Sequence, residues 1–133
     1  MKNYFWLVCS LVWAGLIVYL GFSNPKSVGI EPWFKYQDKL GHFILYAVLS
    51  MLLIKTFSKE IVIQSSIGSG ALVALVFGVF IELGQHFFTH DREGDYMDAL
   101  ANGLGILLMV VLIKAYPKRF ISIQRLELAD KIS

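Results

Sequence analysis

The chain has 133 residues, of which 56% are hydrophobic and 17% charged, and its net charge is +2. Soluble domains run about 45–50% apolar and about 25% charged, and a domain this small buries too little of its surface to hide such an excess. One cysteine, Cys9, excludes a disulfide-stapled module, and the weak charge without a basic stripe excludes a nucleic-acid binder.

The apolar residues fall into four blocks, each read as a membrane-spanning helix. The first, over 4–22, lies in the uncharged run between Lys2 and Lys26 and meets the ~20 residues that a bilayer core requires. A cleaved signal peptide is its rival reading, but the block is longer than a signal core. Tyr19-Leu20-Gly21-Phe22 is also too bulky for a cleavage site. The second helix, over 39–57, is uncharged from Leu40 to Ile54 and extends further if Lys55 snorkels. The third, over 64–88, is uncharged from Ile61 to Ile81; the fourth, over 98–116, is apolar from Ala99 to Ile113 and ends at Lys114. Alternation of period two is absent, and irregular backbone cannot face lipid. The expectation is an all-α membrane protein, a four-transmembrane-helix bundle forming one domain over 1–133, with a tail over 117–133.

With both termini cytoplasmic, Lys2, Lys55, Lys59, Lys114, Lys118, Arg119, Arg125 and Lys131 lie inside, and only Lys26, Lys35, Lys39 and Arg92 lie outside. That bias satisfies the positive-inside rule and places the chain as a multi-pass protein of the cytoplasmic membrane. The first outer loop, Ser23–Gln37, holds Pro32, Trp33, Phe34 and Tyr36 and suits the headgroup layer. The basic, apolar tail suits anionic lipid on the inner side. A faint internal echo pairs Asp38-x-x-x-His42 with Asp98-x-x-x-Asn102.

The polar residues converge. Asp38, Lys39 and His42 open the second helix, Glu82, Gln85 and His86 close the third, and Asp98 and Asn102 open the fourth after Arg92 in the loop. In this topology all of them lie at the outer helix ends. Residues four apart on a helix differ by only about 40°, so Asp38, His42 and Tyr46 share a face, as do Asp98 and Asn102. Gly70, Ala74 and Gly78 form a small-residue stripe that Glu82 continues. Such stripes let helices approach closely in lipid, so the Glu82 face points into the bundle. Plainer readings exist: Asp38 and Asp98 as helix N-caps, His42 as a cross-bundle hydrogen-bonder, Lys39 as a snorkelling lysine, His86 and His90 as solvated residues. Glu82 resists them, because a carboxylate on an apolar helix face costs several kcal/mol unless paired, with Arg92 or Lys39 as the expected partner.

The ordered set Asp38-Lys39-x-x-His42-x-x-x-Tyr46, Glu82-x-x-Gln85, Arg92 and Asp98-x-x-x-Asn102-x-x-Gly105 resembles the VanZ-like family of bacterial membrane proteins. The resemblance covers about half the chain and departs from the family pattern at Thr89-His90-Asp91 and at Met109. The family's founding member is associated with low-level teicoplanin resistance. The resemblance therefore implies an envelope role and supplies no reaction.

Three functions fit these residues. A binding or modulating protein would use Asp38, Lys39, His42, Glu82, Gln85, Arg92, Asp98 and Asn102 to hold an anionic envelope lipid or lipid-linked cell-wall precursor, with two helix N-termini facing it. An enzyme acting on such a headgroup would draw on Asp38, His42, Glu82 and Asp98 for acid–base chemistry and on Arg92 for an anionic transition state. A structural latch would use the same charges only to hold the helices in register. No metal or other cofactor is expected: His42, Glu82, His86 or His90 and Asp98 do not form a recognised metal spacing. Four spans without a broken-helix pair make transport depend on oligomerisation, so a homo-oligomer is an open partner state.

Overall fold

The computed structural model describes residues 3–23, 33–88 and 96–121. The described residues contain four long helices and one short one: α1 (Phe5–Phe22), α2 (Gln37–Lys59), α3 (Ser66–Phe88), α4 (Tyr96–Ala115) and α5 (Pro117–Phe120). The first four are each long and apolar enough to cross a membrane. Arg92, His90 and the tail beyond 121 lie outside the described residues.

Two boundaries differ from the sequence reading in a way that matters for the site. Helix α2 starts two residues earlier, at Gln37, and Tyr36 occupies its N-cap without a side-chain cap bond. Asp38 and Asp98 are therefore first-turn residues of α2 and α4 and not N-caps. Their charges still complement the positive helix ends, but their oxygens are directed to other partners.

Helix α2 is the hub and packs against α4, α3 and α1. Glycines set the distances. Gly105 of α4 lies against the Phe43 carbonyl of α2, so closely that a Cβ there would collide with backbone. Gly70 of α3 meets Ile54 in the same way, and a Cβ on Gly78 would sit 2.9 Å from the Tyr46 ring. Between these contacts lies a core of Ile17, Tyr46, Leu49, Ala74, Ile81 and Ile106. A second cluster, Ile54, Ile113 and Ile121, closes the other end.

Helix α1 is the most peripheral of the four, with only 11% of its span buried. Polar ties hold it in place. Trp13 Nε1–H donates to the Leu45 carbonyl at 2.9 Å, and the Ser10 and Thr56 hydroxyls meet at 3.0 Å. A helix start leaves its first amides without intrahelical partners, and three of those in α1 find acceptors. Phe5 N–H donates to Asn3 Oδ1, and Trp6 and Leu7 N–H to the two oxygens of Glu60, both at 2.8 Å. Glu60 comes from the turn after α2, so one carboxylate ties the start of α1 to the end of α2. Lys55 lies over the Trp6 ring, 4.1 Å from its centroid, at the same end of the bundle.

Candidate functional site

The opposite end, where α2 and α4 begin and α3 finishes, carries a polar cluster built around His42. Position i+4 on α2 puts His42 one turn beyond Asp38, and the α2–α4 contact sets it against Asn102 and Asp98. Its Nδ1–H donates to Asn102 Oδ1 at 2.9 Å. Its Nε2 faces Asp98 Oδ2 at 3.6 Å and Asp38 Oδ1 at 3.9 Å. Glu82 of α3 brings Oε1 to 3.7 Å from Nδ1. The two matched sequence steps, Asp38-x-x-x-His42 and Asp98-x-x-x-Asn102, thus face one another across the α2–α4 contact.

Lys39 and Glu82 settle differently from the sequence expectation. The Lys39 ammonium donates to Asp98 Oδ1 at 2.6 Å, so its carboxylate partner is Asp98 and not Glu82. Glu82 has the His42 ring as its ion-pair-distance neighbour among the described residues, and its other expected partner, Arg92, lies outside them. The reason is positional. Asp98 opens α4 directly beside the first turn of α2, whereas Glu82 sits deeper, beyond the stripe of Gly70, Ala74 and Gly78, all of them buried.

Four atoms here have hydrogen-bonding capacity with no partner among the described residues: Glu82 Oε1 and Oε2, Tyr46 OH and Asn102 Nδ2. All four are buried, and Tyr46 and Asn102 are 1% and 2% exposed. Gly78 brings them together, since its missing Cβ admits both the Tyr46 ring and the Asn102 amide. Leaving one such group unsatisfied costs about 1–3 kcal/mol. The arrangement therefore gathers two acceptor oxygens, one amide donor and one hydroxyl beside His42.

The remaining candidates lie elsewhere. Gln85 is buried but turns to α1, where Nε2–H donates to the Gly21 carbonyl at 2.8 Å. That makes it an α1–α3 tie at the same end of the bundle. His86 is exposed and stacks edge-on with Phe87, apart from the His42 cluster. Asp38 is the most exposed member, with 58% of its side chain accessible, against 11% for His42, Glu82 and Asp98. Tyr46 joins the cluster although its sequence signal, the shared face with Asp38 and His42, marks only a position. Glu60 carries no signal, because its partners lie more than fifty residues away and no local pattern encodes them.

A four-helix, multi-pass membrane protein with a polar cluster sunk into one end of an apolar bundle is the class this geometry defines. The chain belongs to the VanZ/LLP1 family, whose model matches residues 5–117. No curated protein and no solved structure matches it.

Proposed function

We propose that this protein binds the phosphate-linked headgroup of an envelope lipid or lipid-linked cell-wall precursor at its polar end, and that this end faces away from the cytoplasm. The observation that carries the reading is the set of buried atoms without partners on Glu82, Asn102 and Tyr46. Such groups on an apolar helix face are costly and mark functional sites by default. They are also the donors and acceptors that the hydroxyl and amide groups of a headgroup need. The phosphate is met by Lys39, by Arg92 in the connecting segment and by the positive ends of α2 and α4. Basic residues support the orientation: Lys55, Lys59, Lys114, Lys118 and Arg119 all lie at or beyond the far ends of α2 and α4. Family membership makes a contribution to glycopeptide resistance the expected phenotype.

Native mass spectrometry of the purified protein, followed by lipid extraction, tests the proposal. The expected result is one enriched phosphorylated lipid species that is lost in Asn102→Ala while the helical signal is kept. A glycerophospholipid and a polyprenyl-linked precursor differ in mass, which identifies the source. Conversion of the added lipid would point to the enzyme reading. A lipid profile matching the bulk membrane, unchanged in Asn102→Ala, would contradict headgroup recognition.

A further inference from the structure

Asp38, His42 and Asp98 each offer one ligand atom within 4.8 Å of the other two. We propose that these three side chains form a site for a divalent transition-metal ion of the Zn2+ or Mn2+ kind, departing from the sequence expectation that no metal is used. The spacing alone does not carry this. What carries it is the way the rest of the cluster is arranged around the imidazole.

His42 Nδ1 is bonded to Asn102 Oδ1 at 2.9 Å, and Nε2 faces Asp98 Oδ2 and Asp38 Oδ1 at 3.6 and 3.9 Å, beyond hydrogen-bond reach. In the neutral Nδ1–H tautomer these three atoms are all electron-pair donors turned toward one another, an arrangement that a cation between them satisfies. A ligating histidine characteristically gives its other N–H to a carbonyl or carboxylate, which fixes the tautomer and raises the basicity of the ligand. Asn102 is in that position, with Glu82 behind it at 3.7 Å from the same nitrogen. Glu82, only 9% exposed, adds a carboxylate behind Asn102 on the Nδ1 side of the ring, away from the ligand atoms.

Lys39 does not occupy the site. Its ammonium takes Asp98 Oδ1 and leaves Oδ2, the oxygen that faces Nε2. Three carboxylates, Asp38, Glu82 and Asp98, still outnumber the one lysine in the described cluster. Ligand atoms sharing a first-row ion at ~2.1 Å lie roughly 3.0–3.4 Å apart, so closure needs a movement of less than an ångström on the Nε2 side. Asp38 is exposed enough to make it. Imidazole excludes Mg2+ and Ca2+ as preferred occupants, and two carboxylates favour Zn2+ or Mn2+ over softer ions. Three protein ligands leave coordination positions open. If the headgroup reading above holds, a phosphate oxygen takes one of them, but the cation site stands without it.

The test uses the full chain in detergent with Cys9→Ser, stripped by chelator and titrated with Zn2+ by calorimetry and with Mn2+ by electron paramagnetic resonance. The expected result is one ion per chain, with no lipid added. Asp38→Asn, at an exposed position, should fold normally and weaken binding by more than about tenfold, since even changes to groups that only support a ligand cost that much. His42→Ala should abolish binding, and Lys39→Met, which frees Asp98 Oδ1, should tighten it. The rival is an imidazolium held by the carboxylates. It predicts no ion in either the parent or Lys39→Met at millimolar metal, and that result would overturn the site. Binding that survives both His42→Ala and Asp38→Asn would place the ion on other histidines and overturn it equally. Because metal binding is read without lipid, its failure leaves the lipid profile of the preceding section as a separate result.

Discussion

At the residue scale the centre of the account is one imidazole. Asn102 holds His42 by a bond at 2.9 Å, and the ring in turn sits between α2, α3 and α4. Removing the acceptor should release the ring. Asn102→Ala is expected to cost about 0.5–1.5 kcal/mol of stability and to shift the His42 tautomer away from Nδ1–H. Nitrogen NMR of the labelled side chain reads that change directly, and an unaltered tautomer would show that Asn102 does not orient the ring. The residue types at this end of the bundle were legible in the sequence because polar groups stand out on apolar helices. Their pairing was not. Lys39 could equally reach Glu82 or Asp98 on spacing alone, and only the close approach at Gly105 decides that the first turns of α2 and α4 meet.

At the element scale, glycine contacts and one remote cap set the packing. Gly105→Ala drives a Cβ into the Phe43 carbonyl, whereas Gly103, on the same helix, has open space at its Cβ. Overpacking costs about 1–3 kcal/mol, so Gly105→Ala should lower the melting temperature in detergent and Gly103→Ala should leave it unchanged or raise it. Equal effects would mean that α2 and α4 are not in close contact there. The cap makes a separate prediction. Glu60→Ala removes the acceptor for the Trp6 and Leu7 amides, a loss of about 1–2 kcal/mol for a helix start. Amide exchange at those two residues should accelerate while the middle of α1 stays protected. Helix number and approximate limits followed from the uncharged runs, since lipid imposes length and polarity on each span. The earlier start of α2 did not, because Tyr36 and Gln37 carry no cap signal.

For the whole molecule, the pattern of burial is that of a protein solvated by lipid. Leu11, Val12, Leu72 and Phe80 are 60% exposed or more, while Ser10, Ser50, Thr56 and Ser58 are buried. The small hydroxyls reach backbone carbonyls or each other, as with Thr56 Oγ1–H to the Leu52 carbonyl at 2.9 Å. Bilayer hydrocarbon replaces the apolar interior that a water-soluble chain this short cannot build. The proposed orientation is checked in intact cells with Cys9 replaced. A cysteine at Lys59 should resist an impermeant thiol reagent and one at Gly94 should react. The reversed pattern would move the polar end to the cytoplasm, along with any ligand it binds.

The claim on which the rest depends is that the polar end is a binding site and not a latch, and Glu82→Gln tests it most directly. Among the described residues Glu82 has no hydrogen bond of good geometry, Asn102 being its nearest amide, and only His42 lies within ion-pair distance. A glutamine of the same shape removes a buried carboxylate from beside Asp98 and Asp38 without emptying space. The measurement is the melting temperature of the purified variant in detergent, taken on the same sample as its co-purified lipid. A binding role for Glu82 predicts a melting temperature equal to or above that of the parent, together with loss of the enriched lipid. A marked fall in melting temperature with the lipid retained would contradict it and assign Glu82 to holding the helices together.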